Sequence, residues 1–308
     1  RRRALACEGG GREQEQGAHD ARLTPRAAGW MVCGRAGRRI LAPRMTWYTG
    51  DPTYDTVLAA ALGLAVLVAL AAPFVPSPYG RFASERFGLA LDPRLGWFLM
   101  ELPASVSFLY FFATGPNRGE VVPLVFLCIW LVHYGNRGFY FPLSIRSPRG
   151  ARASFSLMVI AFGWVVTSMH GYLHAAFFTS HATQYTIEWL RDPRFLIGLP
   201  IYAVSLALNI HSDAIVRGLR SRNEVAMGER VYRIPRGGLF RFVRSPAYLT
   251  ELTAWAGLAL CTWSLAGVFI FAVSAANLVP RALSTHRWYR ERFPDYPRER
   301  TALIPYLL

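Results

Sequence analysis

A carboxyl group stands inside an apolar stretch, in the segment WFLMELP at residues 97–103. Ionisable side chains in such runs are rare and costly, and they usually serve a function. Because removal from water disfavours the charged form, Glu101 can stay protonated near neutral pH and donate a hydrogen bond to a carbonyl group. Pro103 lacks a backbone N–H and frees a carbonyl one turn earlier, which favours a bend beside Glu101. The alternative is a structural Glu101 that is paired with an arginine or bound to backbone.

A second candidate group is the hydroxyl of Tyr134, which follows His133 in the segment WLVHYGNRGFYFP. It could act as an acid or donate a hydrogen bond to a carbonyl oxygen. The alternative is an aromatic belt at a membrane interface, which Tyr140 and Phe141 also suggest. Together, Glu101 and Tyr134 would supply two donors to one carbonyl.

Metal chemistry is not predicted. His170 and His174 lie four residues apart and therefore on one helical face, but neither a glutamate nor a third ligand accompanies them. We interpret them as packing histidines. The four cysteines, at positions 7, 33, 128 and 261, show no metal-ligand spacing, and the latter two lie in apolar runs, which argues against a disulfide framework.

A polar stripe runs down the segment NIHSDAIVRGLR. Asn209, Asp213, Arg217 and Arg220 follow a helical spacing, so they share one helix face. The alternative is an internal salt bridge within a helical bundle. A second polar set is found at similar depth near the end of the chain and consists of Glu251, His286 and Tyr289.

The next loop, residues 217–246, contains eight arginines, interleaved aromatic residues and the pair Gly237-Gly238. Glycine permits backbone conformations closed to other residues, and arginine forks suit phosphate groups. A lipid-headgroup patch would explain the charge but neither the glycines nor the stripe. A nucleic-acid site would not explain so apolar a chain, whereas a cytoplasmic pocket for a phosphorylated cofactor explains all three features. The loop matches neither the Rossmann nor the P-loop pattern.

The composition indicates a multipass membrane protein. The 308 residues are 53% hydrophobic and only 17% charged, with a net charge of +15 and a mean hydropathy of +0.22. These values exclude disorder, collagen and coiled coil as the main class. The basic residues are all arginine, which favours a GC-rich coding sequence and a bacterial source.

Seven segments are long and apolar enough to cross a membrane, so we predict an all-α polytopic protein. The predicted spans are 55–75, about 95–114, about 121–140, 154–178, 195–216, 248–263 and 265 to about 279, the last continuing as helix toward Tyr289. Loops after the second, fourth and sixth spans hold few arginines, namely Arg118, Arg191 and Arg194. The positive-inside rule then places the C-terminus in the cytoplasm and the N-terminus outside.

Residues 1–44 depart from that pattern because they carry ten arginines on the side expected to be poor in them. They have no apolar core typical of a signal peptide. We interpret them as a disordered leader or a non-native extension, with Met45 as the natural start. Residues 45–308 would then form a single seven-helix domain.

These motifs resemble the steroid 5α-reductase family of membrane NADPH-dependent reductases, over roughly residues 55–308. The most specific stretches are LNIHSDAIVRGLR, YRIPRGGLFRFV and HRWYRERFPDYPRERTALIPYLL. The ELP, HY and PSPYGR motifs fall in the right order. The resemblance implies a seven-helix bundle that holds NADPH from the cytoplasmic side. It also implies reduction of the C4–C5 double bond of 3-oxo-Δ4 steroids to 5α-3-oxosteroids.

The resemblance also implies roles for individual residues. Glu101 and Tyr134 would hold the 3-keto oxygen as the catalytic pair, with Trp97, Met100 and Trp255 along the steroid cavity. The implied cofactor contacts are Tyr79, Arg137, Arg146, Arg149, Asn209, Asp213, Arg220, Tyr232, Arg233, Glu251, His286 and Tyr289.

A few positions depart from the family pattern. Met100 stands where the family often has Gln, which makes the pocket drier, and Ala247 stands where it often has Asn. Thr250 replaces a Gly before Glu251. These changes bear on the substrate rather than on the class of enzyme.

Several functions remain as alternatives. A related enoyl or sterol reductase, or an isoprenylcysteine carboxyl methyltransferase using S-adenosylmethionine, would share the membrane bundle. A seven-helix receptor or transporter would leave the polar stripe and the Gly-Gly loop unexplained. The expected partners are a lipophilic enone and the bilayer, with neither nucleic acid nor an obligatory protein partner. The expected location is a bacterial inner membrane, or the endoplasmic reticulum for a eukaryotic source.

Overall fold

The computed structural model describes residues 48–72, 74, 82, 88–147, 155–228 and 231–308. Residues 1–44, Tyr79 and Arg149, on which predictions were made, lie outside these ranges. The helices are α1 (Pro52–Ala71), α2 (Pro93–Thr114), α3 (Val121–Tyr134), α4 (Phe141–Ser144), α5 (Leu157–Ala176), α6 (Pro193–Gly218), α7 (Arg222–Ala226), α8 (Pro246–Thr262) and α9 (Leu265–Arg292). Each predicted span overlaps one of these helices, although the bounds differ.

Three of the long helices begin with the same two residues. Asp51, Asp92 and Asp192 each precede a proline, and each aspartate side chain accepts hydrogen bonds from backbone N–H groups of the first turn. An aspartate at the N-cap satisfies otherwise unpaired donors, and a proline suits the first helical position because it lacks the N–H that would be left over. The starts of α1, α2 and α6 are therefore set by local sequence.

Among the described residues, six helical segments are long and apolar enough to cross a membrane: Pro52–Ala71, Pro93–Thr114, Val121–Ser144, Leu157–His181, Pro193–Gly218 and Leu265–Arg292. The remaining predicted span, α8, has 17 helical residues, which is about 26 Å at the usual rise per residue. Six such helices indicate an integral membrane protein. A seventh crossing and the orientation of the termini stay predictions.

The described residues are mostly helical, in agreement with the all-α prediction, and two local details add to it. Ala90–Leu91 (β1) and Phe155–Ser156 (β2) form a short antiparallel pair beside the start of α2. In addition, α3 does not run on as a regular α-helix, because Gly135–Tyr140 form a wider π-helical turn before α4. Such turns often occur at functional sites because they redirect side chains.

The most extensive helix pairs are α6 with α8 and α2 with α5. In the first pair, a Cβ added to Gly198 would lie 2.7 Å from the Gly257 carbonyl oxygen, and one added to Gly257 would lie 2.8 Å from the Gly198 carbonyl oxygen. In the second pair, a Cβ on Gly171 would lie 2.8 Å from the Ala104 carbonyl oxygen. Glycine therefore permits the close backbone approach that membrane helices use in place of a hydrophobic driving force.

One end of the bundle is filled by aromatic side chains. Phe108 stacks on Trp130 with ring centroids 4.0 Å apart, and Phe126 stacks on Phe178 at 4.7 Å. The buried Tyr185 hydroxyl donates to the Thr262 carbonyl oxygen at 2.7 Å. The segments that connect α2 to α3 and α5 to α6 lie at this end. The other end contains the cavity described next.

Candidate active site

A cavity of about 810 Å³ opens within the bundle and is lined by side chains of α1, α2, α3, α5, α6, α8 and α9. This volume lies within the range of small-molecule sites. Most of the predicted site residues line it, namely Trp97, Met100, Glu101, Tyr134, Arg137, Arg146, Asn209, Asp213, Arg220, Tyr232, Glu251 and Trp255. The fold thus gathers residues that lie up to about half the chain apart in sequence, although their individual roles stay predictions.

A carboxyl group and a phenol hydroxyl face the cavity from neighbouring helices. Glu101 is 8% exposed and belongs to α2, two residues before Pro103, while Tyr134 is 4% exposed and is the last residue of α3. Both therefore lie where water has little access. Both side chains are therefore accessible to a molecule bound in the cavity.

Arg137 lies between two carboxyl groups. Its Nε atom is 3.9 Å from Oε1 of Glu101, and its Nη1 atom is 4.0 Å from Oδ2 of Asp213. The π-helical turn after α3 brings this guanidinium into the cavity. The pairing with arginine, which was the alternative interpretation of Glu101, is therefore present. Since 3.9 Å is too long for a direct hydrogen bond, the Glu101 carboxyl keeps capacity for another partner.

Aromatic rings fix the position of the Arg137 side chain. Its guanidinium carbon lies 4.8 Å from the ring centroid of Trp97 and 4.9 Å from that of Phe141. The two rings meet edge to face at 5.5 Å. Such cation–π contacts contribute roughly 0.5–2 kcal/mol each, more where water is excluded. The predicted cavity residue Trp97 thus also holds a charged group.

Asn209 joins α6 to the first turn of α8. Its buried side-chain amide donates to the Ala247 carbonyl oxygen at 2.8 Å and to Oε2 of Glu251 at 3.2 Å. It also lies 3.3 Å from the Thr250 hydroxyl. Asn209 and Glu251, which the sequence placed in one site, are therefore direct partners. Ala247 takes part through its backbone, so the absence of an asparagine side chain does not remove this contact.

Two arginines close one end of the cavity by binding each other's backbone. Arg146 donates to the carbonyl oxygen of Arg220, and Arg220 donates to that of Arg146 at 3.3 Å. Arg220 also donates to the Val231 carbonyl oxygen at 3.2 Å and lies over the Tyr232 ring. Two positively charged guanidinium groups are thus held next to each other at the cavity wall. Such a donor set suits an anion.

The Gly-Gly turn has the conformation that its residues allow. Gly237 and Gly238 have φ angles of +86° and +49°, in the left-handed region. A Cβ added to Gly238 would lie 2.8 Å from the His211 ring. The turn therefore lets the loop pass close to α6, from which the polar stripe projects.

Arg233 does not line the cavity. It is exposed and forms an ion pair with Glu224, whose carboxylate also accepts from the Ser221 backbone in a capping box at the start of α7. The hydrogen bond from the Arg233 side chain, followed by that from Ser221, lowers the pKa of Glu224 to about 2. In this structure Arg233 therefore braces the loop. Its role toward a cofactor stays a prediction.

His286 and Tyr289 lie behind the cavity wall. The His286 ring is 3.2 Å from the Tyr296 hydroxyl, and the Tyr289 hydroxyl donates to the Arg233 carbonyl oxygen at 3.3 Å. The guanidinium carbon of Arg244, a cavity residue, lies 3.6 Å from the centroid of the Tyr289 ring. Tyr289 thus contacts the loop and Arg244, while His286 contacts Tyr296.

Sequence reasoning missed a polar face on α9. Ser274, Asn277, Arg281 and Thr285 recur at helical spacing and line the cavity. Arg281 donates to the Tyr248 hydroxyl at 3.0 Å. The signal was available, because polar residues three and four apart within an apolar span mark one face.

The histidines of α3 and α5 pack among aromatic rings. His170 and His174 are fully buried, with ring centroids 4.4 Å apart, and His170 lies 4.6 Å from Trp130. His133 lines the cavity and packs against Trp255 at 4.4 Å. Within the described residues, no group of three or more His, Cys, Asp or Glu side chains could hold a metal ion.

Comparisons with known proteins identify relatives of this chain. A family model described as 3-oxo-5-alpha-steroid 4-dehydrogenase matches residues 153–308. The chain is 37% identical over 236 residues to 3-oxo-5-alpha-steroid 4-dehydrogenase 1 of Rattus norvegicus, an alignment covering 76% of this chain and 87% of that protein. It is 38% identical over 238 residues to steroid 5-alpha-reductase DET2 of Solanum lycopersicum, covering 76% and 89%. It is 36% identical over 255 residues to 3-oxo-5-alpha-steroid 4-dehydrogenase 2 of Sus scrofa, covering 82% and 96%.

Proposed function

The chain belongs to the 3-oxo-5-alpha-steroid 4-dehydrogenase family, as its motifs predicted, and from that premise we propose a specific reaction. The enzyme is an oxidoreductase acting on CH–CH groups. It reduces the C4–C5 double bond of a 3-oxo-Δ4 steroid, using NADPH, to give a 5α-3-oxosteroid. The observation that carries this proposal is the buried pair Glu101 and Tyr134 in a cavity that also presents arginines.

The two donors act on the ketone oxygen. When a hydride adds to the β carbon of an enone, negative charge moves onto the carbonyl oxygen. Hydrogen bonds from neutral Glu101 and from Tyr134 stabilise that charge, and one such donor in a water-poor site contributes roughly 3–4 kcal/mol. The α carbon then takes a proton, which completes the reduction.

Arg137 supports the reaction by placing its positive charge between Glu101 and Asp213. Its charge lies 3.9 Å from Glu101 and 4.0 Å from Asp213, so it links the group assigned to the substrate with one assigned to the cofactor. It is held in place by Trp97 and Phe141. A guanidinium at this point also favours the developing negative charge on a nearby oxygen.

The donor set at the other end of the cavity fits NADPH. Arg146 and Arg220 would hold its phosphate groups, with Tyr232 beside Arg220. Asn209, Glu251 and Asp213 offer amide and carboxyl groups toward the same cavity. When bound, the cofactor supplies the hydride.

The membrane arrangement follows from the same proposal. α8 is the seventh crossing, and the arginine-rich loops and C-terminus lie in the cytoplasm. The phosphate-binding end of the cavity then opens to the compartment that contains the cofactor. The cavity is also lined by apolar residues, including Val68, Phe162, Val166 and Val273, and a lipophilic enone enters this part from the bilayer.

The rival enzymes can be separated by one assay. Purified protein is incubated with NADPH and a panel comprising a 3-oxo-Δ4 steroid, an enoyl thioester and a Δ14 sterol, and binding of S-adenosylmethionine is measured in parallel. We expect NADPH oxidation that depends on the 3-oxo-Δ4 steroid, and no binding of S-adenosylmethionine. Oxidation with the thioester or sterol alone would assign a related reductase, and S-adenosylmethionine binding would assign a methyltransferase.

A further inference from the structure

Pro103 leaves one carbonyl of α2 without its usual helical partner. In a regular helix the N–H of residue 103 would donate to the Leu99 carbonyl oxygen, but proline has no N–H. Trp164 of α5 donates its indole Nε1–H to that oxygen at 2.7 Å. A side chain of the neighbouring helix thus replaces the missing backbone hydrogen bond.

The next carbonyl of α2 is also contacted from α5. The Thr167 hydroxyl lies 3.3 Å from the Met100 carbonyl oxygen and 2.8 Å from the Gly163 carbonyl oxygen of its own helix. Side chains of α5 therefore lie within hydrogen-bond distance of the backbone oxygens of Leu99 and Met100, the two residues directly before Glu101. This fixes the turn of α2 that carries the Glu101 carboxyl.

Small residues bring the two helices close enough for these contacts. A Cβ on Gly163 would lie 2.2 Å from Cγ of Met100, and one on Gly171 would lie 2.8 Å from the Ala104 carbonyl oxygen. Gly163, Thr167 and Gly171 recur every four residues and form one face of α5. Because α2 lies directly on this face, a change in the contacts of α5 shifts α2.

Trp164 does not itself line the cavity, and 48% of its surface is exposed. Its connection to the reaction therefore runs through the backbone of α2. We propose that Trp164, supported by Thr167, is a positioning residue that sets the place of the Glu101 carboxyl by replacing the hydrogen bond that Pro103 removes. This inference rests on the proposed role of Glu101 in holding the substrate ketone.

A double-mutant cycle tests the proposal on the full chain. Trp164→Phe keeps an aromatic ring but removes the N–H donor, and we expect it to lower kcat for reduction of a 3-oxo-Δ4 steroid about tenfold while changing KM for NADPH less than about twofold. In the Pro103→Ala background a backbone N–H becomes available to the Leu99 oxygen. There the same Trp164→Phe change should lower kcat less than about twofold. The melting temperature should show the same coupling.

A matched control separates this effect from general destabilisation. Trp189 donates its indole N–H to the Cys261 carbonyl oxygen at 3.0 Å, which is the same chemistry at another place. Trp189→Phe should lower the melting temperature equally with and without Pro103→Ala. Equal losses from Trp164→Phe in both backgrounds, in kcat and in melting temperature, would overturn the proposal.

A third variant distinguishes failure of the positioning role from failure of the proposed function. In the Glu101→Leu background, Trp164→Phe should cause no further loss in kcat, because it acts through Glu101. An additional loss there would overturn the positioning role. Full activity of Glu101→Leu itself would contradict the proposed function, whatever coupling the melting temperatures show between Trp164 and Pro103.

Discussion

At the scale of single residues, the site is organised around one guanidinium between two carboxyl groups. Arg137 lies at similar distances from Glu101 and Asp213, and aromatic rings hold it there. The distance of 3.9 Å between Glu101 and Arg137 is too long for a direct hydrogen bond, so the Glu101 carboxyl can still bind a substrate oxygen, as we propose.

The first prediction concerns Glu101 and Tyr134, the two residues assigned to the substrate carbonyl. Glu101→Leu and Tyr134→Phe should each lower kcat/KM at least about tenfold, which corresponds to about 1.4 kcal/mol of lost transition-state stabilisation. Glu101→Gln keeps a donor and should retain part of the activity. Steady-state kinetics with a 3-oxo-Δ4 steroid measures all three variants.

A matched control for this pair is Tyr140→Phe, which removes a hydroxyl from an exposed tyrosine six residues after Tyr134. It should leave kcat/KM within about twofold of the unaltered protein, as expected for a surface change. Turnover at the unaltered level in both Glu101→Leu and Tyr134→Phe would remove these residues from the mechanism.

The arginines at the cavity end make the second prediction. A charge-assisted hydrogen bond to a phosphate contributes about 1.5–3 kcal/mol. We therefore expect Arg146→Ala and Arg220→Ala to raise KM for NADPH about tenfold or more. Their KM for NADH, which lacks the 2′-phosphate, should change much less. The ratio of the two KM values separates phosphate recognition from loop disruption.

The exposed Arg222 on α7 serves as the control for this charge effect. Arg222→Ala removes the same charge without touching the cavity, so both KM values should stay unchanged. If Arg146→Ala and Arg220→Ala raise KM for NADPH and KM for NADH by the same factor, these arginines do not recognise the 2′-phosphate.

At the scale of elements, the apolar runs predicted where helices form, because length and composition suffice for a membrane segment. The first residues of α1, α2 and α6 can also be predicted from the sequence, because an Asp-Pro pair begins each of these helices. The π-helical turn at Gly135–Tyr140 was not predicted, since local sequence does not distinguish it from a regular turn. The replacement of the Pro103 hydrogen bond by Trp164 also depends on helix packing and is visible only in three dimensions.

Helix packing makes the third prediction. Gly198→Ala would place a Cβ 2.5 Å from the Cys261 backbone nitrogen and 2.7 Å from the Gly257 carbonyl oxygen. Overpacking of this kind typically costs about 1–3 kcal/mol. We expect a lower melting temperature for Gly198→Ala and reduced activity, because α6 and α8 carry Asn209 and Glu251.

The matched control lies on α1, where a Cβ at Gly63 has no atom within 4 Å. Gly63→Ala should leave the melting temperature unchanged or slightly higher, since it also lowers the flexibility of the unfolded chain. Similar melting temperatures for Gly198→Ala and Gly63→Ala would contradict the close packing of α6 on α8.

At the scale of the whole molecule, the bundle divides into a packed aromatic end and a cavity end. The sequence identified the family because its motifs are long and ordered, and this was confirmed. Most of the site residues that it named line the cavity. Residues that line the cavity and residues packed behind its wall cannot be told apart from the sequence alone. The prediction therefore included Arg233, His286 and Tyr289, which do not line the cavity. The polar face of α9 was present in the sequence and overlooked.

The central claim is that this cavity holds an enone so that hydride reaches its β carbon while Glu101 and Tyr134 hold the ketone oxygen. The most direct measurement uses NADPH in which both hydrogens on C4 of the nicotinamide ring are deuterium. The transfer of this label into a 3-oxo-Δ4 steroid is followed by mass spectrometry and NMR of the product. The account predicts one deuterium at C5, in the 5α configuration, for each cofactor oxidised. Deuterium at another carbon, a 5β product, or cofactor oxidation without steroid reduction would contradict it.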